Sequence, residues 1–205
     1  GRREFLGAGI AGAVALTSGS ATAGEKPTQK TVTDLPYNPR THQAMPTRNL
    51  GKTGYQVGIL SLGGQATIEQ KGTEAESIAI VNKALDLGVN YIDTAAAYGG
   101  GISETHIGKV LKNRRSEVWL ASKTHDRSYD GSMKLLEKSL KQLQTDHLDT
   151  WQLHNVKRQE DLDKIFAKDG AMKALLQAKD EGLVRCLGVT GHYEPLILKQ
   201  FLDRF

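Results

Sequence analysis

The chain predicts an α/β fold of the (β/α)8 TIM-barrel type, with about the first five β/α units legible. Three observations carry that expectation. Short apolar runs alternate with amphipathic helices, as in a parallel sheet built from right-handed crossovers. The runs are apolar almost throughout, as strands buried on both faces are. Chemistry-bearing residues stand at the C-terminal ends of several successive strands, where barrel active sites assemble. An open doubly wound sheet fits less well. It collects its ligand at one switch point behind an early G-x-G-x-x-G, and here Gly63-Gly64 has no third glycine in register.

Taken in order, 1–23 reads as a targeting segment. Arg2-Arg3 precede Phe5-Leu6, a Gly/Ala-rich stretch runs to Leu16, and Ala21-Thr22-Ala23 supplies a small-residue cleavage pattern. The paired arginines resemble a twin-arginine signal peptide, which implies the twin-arginine export machinery as a partner and a periplasmic or otherwise exported protein. The stretch is too short and glycine-rich for a membrane span, so no stable membrane insertion is expected. Residues 24–45 are polar, carry Pro27, Pro36 and Pro39, and read as a linker. The domain is expected over 46–205.

Within it, 46–57 reads as a hairpin turning at Gly51 to Gly54. A strand at 59–62 leads to Gly63-Gly64. A helix at 74–87 is stopped by Gly88, and a strand at 89–92 runs into Asp93. Ser103 reads as the N-cap of a helix through Leu111. A strand at 118–121 leads to Lys123, a helix covers 132–143, and a strand at 148–153 leads to His154. A helical region at 162–181 is interrupted near Gly170, and a fifth strand at 187–190 precedes a helix at 194–203. Five of eight units are then in place at Phe205, so this is expected to be the front portion of a longer barrel.

Composition excludes several classes. A net charge of +4 with no basic, aromatic-interleaved run gives no sign of nucleic-acid binding. The one cysteine, Cys186, rules out an internal disulfide and a thiolate metal centre from this chain alone, and in its apolar run it reads as a buried thiol. Three nitrogen ligands cannot be assembled from the histidine positions, so no metal is expected. His106 and His125 read as surface or supporting residues. Gly99-Gly100-Gly101 reads as a flexible loop at the pocket rim rather than a phosphate loop, because no Lys-Ser/Thr follows.

Asp93, Tyr98, Lys123 and His154 form the candidate catalytic group. A phenol has a pKa near ~10, too high for easy proton transfer at neutral pH, and a nearby ammonium favours the phenolate. Asp93 would fix the lysine and His154 would hydrogen-bond a substrate oxygen. The stretches Arg48 to Gly54 with Leu60 to Gly64, Asn90 to Ala95 with Tyr98-Gly99, Ser103-Glu104 with Ile107 to Leu111, Ala121 to Lys123, Leu143 to His154, and Gly182 to Thr190 together resemble the aldo-keto reductase family. The resemblance runs from Pro46 to Phe205. It implies an oxidoreductase that moves hydride between a nicotinamide cofactor, NADPH with NADH possible, and a small-molecule carbonyl or alcohol substrate. Tyr98 would be the general acid and base, Lys123 its activator, Asp93 the anchor of Lys123, and His154 the group that positions the carbonyl. Gly64, Gln65, Thr190, Gly191 and His192 are the expected cofactor contacts. The family's fifth strand ends in Ser-Asn against the nicotinamide amide, whereas here Thr190-Gly191 stand in that place. The resemblance also puts the phosphate grip in the last two barrel units. The alternatives are a non-catalytic sensing protein on the same barrel and an inactive truncated piece.

Overall fold

The computed structural model describes residues 34–205. The targeting segment and the first ten residues of the linker lie outside the described residues. A short helix α1 (Thr41–Ala44) precedes the antiparallel hairpin β1 (Thr47–Asn49) and β2 (Gln56–Gly58). Then follow β3 (Leu62–Gly63), α2 (Glu74–Asp86), β4 (Tyr91–Asp93), α3 (Ile102–Arg114), β5 (Trp119–Thr124), α4 (Tyr129–Leu143) and β6 (Leu148–Leu153). The chain continues through α5 (Gln159–Ile165), α6 (Ala171–Asp180), β7 (Val184–Val189) and α7 (Pro195–Arg204). No helix among the described residues is long and apolar enough to cross a membrane.

The five strands β3 to β7 pair in parallel and in chain order, each beside its successor. That consecutive order is the order of a barrel wall. A doubly wound sheet would reverse direction part-way across. Register then sets the two faces. Asp93 lies beside Ala121, and Lys123 beside Gln152, so Asp93, Lys123 and Gln152 share one face. Ile92, Leu120, Trp151 and Leu153 point to the other face, fully buried under the helices with Val81, Leu85, Ile107, Leu111, Leu136 and Leu143. Burying each such side chain contributes roughly 1.5–3 kcal/mol, and this helix-facing layer is the core of the domain.

The end of the barrel beneath the strands' N-termini is closed by polar latches. Tyr55, 3% exposed, donates its hydroxyl to Asn90 O at 2.6 Å and packs against Trp119 with ring centres 4.9 Å apart and planes tilted by 36°. Asn90 returns hydrogen bonds to the hairpin, donating to Gln56 O and accepting from Gly58 N–H. Buried Asp149 pairs with Arg115 and Arg185 and accepts the Leu120 N–H at 2.8 Å. Residues 34–45, expected as the end of a linker, pack here instead. Asn38 donates to Leu85 O at 2.8 Å, Thr41 to Gly88 O at 2.8 Å, and Tyr37 N–H to Ser116 O. Arg185 reaches Asp34 O at 2.9 Å.

Some boundaries differ from the sequence reading, each for a local reason. Helix α3 opens at Ile102, because Ser103 is drawn inward to share a hydrogen bond with Thr94 at 2.8 Å and does not cap. Helix α4 begins three residues early, capped by Ser128, whose hydroxyl accepts from Gly131 N–H at 3.1 Å. The interruption expected near Gly170 is present and divides the region into α5 and α6, because Gly170 pairs with Ser128 in an isolated bridge and Ala171 N–H leaves for Arg127 O. Cys186 is half-buried, since β7 borders the sheet and its inner face is partly open. Ile59 and Leu60, expected inside a strand, stand 60% and 62% exposed before a short β3.

Candidate active site

The residues at the C-terminal ends of β4, β5 and β6 meet at one mouth. β4 ends in Asp93, β5 carries Lys123 one residue before its end, and His154 follows β6 directly. Tyr98 comes from the loop after β4. Gly99, Gly100 and Gly101 follow it with φ of 56°, 67° and 104°, so the chain curls left-handed and turns back into α3. A Cβ on Gly99 would lie 2.1 Å from Glu69 O. Glycine is therefore required there by both conformation and space. The loop, expected to be flexible, makes a tight left-handed turn.

Lys123 is the hub. Its ammonium, on a residue only 3% exposed, donates to Asp93 Oδ2 at 2.6 Å, to Thr94 O at 2.8 Å and to Tyr98 Oη at 3.3 Å. A lysine ammonium has three protons, and here each has an acceptor. The bond to Tyr98 Oη leaves the tyrosine's own proton free for a ligand. His154 stands edge-on to Tyr98, with ring centres 5.6 Å apart and planes at 80°. Burial pushes the His154 imidazole down to about 4, assisted by the positive charges of Lys123, His125, His192 and Arg127. At neutral pH the ring is therefore uncharged, with one N–H to donate. Tyr98 and His154 thus stand side by side, a phenol hydroxyl and an uncharged imidazole that can each donate a hydrogen bond.

The expected cofactor contacts are placed unevenly. Gly64 is packed, with its N–H on Asp93 O at 2.8 Å and its α-carbon against Thr94 and Ser103, where a Cβ would come within 2.5 Å of the Ser103 hydroxyl. Gln65 is exposed beside it. The Thr190 hydroxyl accepts from Asn155 N–H at 2.9 Å and lies 3.4 Å from Leu153 O, so it ties β7 to the end of β6. At Gly191 a Cβ would lie 2.8 Å from Val156 O and 3.0 Å from Leu198 Cδ2. His192 is exposed at the lip of a shallow cleft with Gly191, Tyr193 and Leu198. Among the described residues no group of three or more His, Cys, Asp and Glu side chains is placed to hold a metal ion.

Several participants escaped the sequence reading. Thr94 shares Lys123 through its backbone carbonyl, which no residue type could signal. Fully buried Glu104 accepts from Ser122 at 2.6 Å, directly behind Lys123, and burial raises its carboxyl. The Ser103-Glu104 pair, which marks the helix start and belongs to the family resemblance, is the one local sign of it. Of the two expectations for His106, the surface one falls away: the residue is 5% exposed and bonded to Ile68 O at 2.9 Å, because the turn Ala66–Glu69 folds over α3.

Known proteins carry the same organisation. The model of the aldo/keto reductase family matches residues 56–200. An L-galactose dehydrogenase from Arabidopsis thaliana is 35% identical over 77% of this chain and 51% of its own. A 6-dehydroglucose reductase from Novosphingobium aromaticivorans is 31% identical over 83% of this chain and 58% of its own. The holo form of an aldo-keto reductase from Bacillus halodurans superposes with a TM-score of 0.67 at 31% identity, covering 78% of this chain and 54% of that one. An aldo-keto reductase from Klebsiella pneumoniae, solved with NADPH, gives 0.62 at 26% identity over 78% and 54%. The chain spans about half the length of the curated relatives it matches. These neighbours fix the class as the (β/α)8 barrel, of which the described residues supply the five consecutive strands β3 to β7. With well over half of its residues inside the family model, the chain belongs to the aldo/keto reductase family of oxidoreductases.

Proposed function

We propose that the full-length protein is an exported, NAD(P)H-dependent carbonyl reductase, working in reverse as an alcohol dehydrogenase, with Tyr98 as general acid and base. The observation that carries this reading is the threefold use of the Lys123 ammonium, which holds Tyr98 Oη as an acceptor and frees its proton. A substrate carbonyl oxygen takes hydrogen bonds from Tyr98 and from neutral His154. As charge develops on that oxygen, Tyr98 donates its proton, and the phenolate left behind is stabilised by the adjacent ammonium. Asp93 neutralises the lysine and stops it from swinging into the mouth. In the oxidative direction the same phenolate accepts the alcohol proton.

The residues present fit the nicotinamide end of the cofactor. Gln152 Oε1 and Asn155 Oδ1 are buried amide oxygens without a hydrogen-bond partner among the described residues, beside Lys123 and after His154 respectively. A carboxamide carries the N–H donors they lack. Thr190, Gly191 and His192 would complete that end, and the reduced cofactor, when bound, supplies the hydride. A relative solved with NADPH supports the choice of nucleotide. Export rests on Arg2-Arg3 and the small-residue pattern at Ala21 to Ala23. Crossing in the folded state would allow cofactor to be loaded first.

The test is Tyr98→Phe in the full-length protein, assayed with a panel of aldehydes and by NADPH titration. Turnover should disappear while nucleotide affinity stays within about two-fold, since only a transition-state interaction is removed. Undiminished turnover would refute the assignment.

A further inference from the structure

We propose that the Arg127–Asp161 ion pair is a positioning device for His154, acting on the imidazole through the backbone of the loop that carries it. The inference rests on the reading of Tyr98 and His154 as the donors to the reacting oxygen.

The loop from His154 to Lys157 leaves β6 with Asn155 at a φ of 55°, a left-handed conformation uncommon outside glycine. Six backbone groups in it are held. His154 N–H donates to Thr124 O at 2.8 Å, Asn155 N–H to the Thr190 hydroxyl at 2.9 Å, and Val156 N–H to Thr190 O at 2.8 Å. The other three depend on the ion pair. One Arg127 nitrogen donates to both His154 O at 2.9 Å and Asn155 O at 3.1 Å. Asp161 Oδ2 accepts Lys157 N–H at 2.9 Å, and its Oδ1 receives Arg127 Nε at 3.1 Å.

This is no surface pair. The two side chains are 15% and 25% exposed. Arg127 is itself anchored, since its carbonyl accepts Ala171 N–H at 2.8 Å and its neighbour Asp126 is tied to Ser128. The remaining guanidinium nitrogen, Nη1, is buried with no hydrogen-bond partner among the described residues. Solvent could satisfy two loop carbonyls without leaving a cationic nitrogen unpaired. What the guanidinium adds is direction: it fixes where both carbonyls point, and so where the His154 ring sits against Tyr98. The same cation lies close enough to help keep that ring uncharged.

The test is a double-mutant cycle in the full-length protein, with aldehyde reduction by NADPH as the assay. Arg127→Met should lower kcat by about 10–100-fold, the range expected when a reacting group is misplaced by a fraction of an ångström to an ångström. The NADPH dissociation constant should stay within about two-fold. In a His154→Ala background the same substitution should change kcat by less than about three-fold, because its effect passes through the ring that is gone. Arg127→Lys, which keeps the charge and loses the fork, should fall between wild type and Arg127→Met, and it is judged by the same cycle if Arg127→Met does not fold. An equal loss in both backgrounds, or no loss in either, would overturn the proposal. Turnover surviving in Tyr98→Phe would instead mark failure of the underlying mechanism.

Discussion

Acidifying the full-length protein from pH 7 to pH 4 should cost it stability through one ring, His154. In the folded state its imidazole is pushed from the ordinary 6.5 down to about 4, first by burial and then by the cations around the mouth. Above pH 6.5 neither state carries the proton, and the contribution is constant. Between 6.5 and about 4 the unfolded chain binds a proton that the folded chain refuses, so stability falls. Below about 4 both states are protonated and the loss is complete. The full gap corresponds to about 3 kcal/mol. Solvent screening of a half-exposed ring reduces this to about 1–2 kcal/mol, or about 2–8 °C in Tm for a domain of this size. The assay is Tm by circular dichroism at half-unit pH steps for wild type and His154→Gln. Carboxylates titrate in the same window in both proteins, so the difference between the curves reports the ring. His154→Gln should lose less stability than wild type between pH 6.5 and 4. Parallel curves would refute the claim that the ring is held uncharged, and with it the account of His154 as a neutral donor.

Two further outcomes are expected. Burial raises the Glu104 carboxyl, so its contribution to stability is full below the ordinary 4.5 and is lost as pH rises toward the raised value. The Tm difference between Glu104→Gln and wild type should therefore grow in favour of the variant as pH rises above 4.5, and a difference independent of pH would show that Glu104 is ionised in the folded state. Gly191→Asn, which restores the residue type the family resemblance implies, should destabilise by about 1–3 kcal/mol, because its Cβ would lie 2.8 Å from Val156 O. Nucleotide titration should show no tighter binding, and a gain in affinity with an unchanged denaturant midpoint would contradict this packing.

The legible parts of the sequence were those in which residue type and position change together. Asp93, Lys123 and His154 interrupt or follow apolar runs, and a charged or polar residue at a strand end is visible against that background. Register then brings Asp93 and Lys123 to the same face without further instruction. What was not legible depended on long-range packing. Arg127 sits in a loop like any solvated arginine, and only the fold brings it under His154 O, 27 residues away. His106 could be read as either a surface or a supporting residue because its partner, Ile68 O, is a backbone atom 38 residues earlier. Residues 34–45 have the composition of a linker, and nothing local shows that Asn38 and Thr41 find carbonyls 47 residues further along.

Those latches have a consequence for how the molecule can be held. Asp34, Tyr37, Asn38 and Thr41 are fastened at the closed end of the barrel, beneath the strands' N-termini, while Tyr98, Lys123 and His154 open at the other. The domain therefore has a handle and a working end on opposite poles. A pull applied to the chain at Asp34 would therefore load the end of the sheet remote from Tyr98, Lys123 and His154.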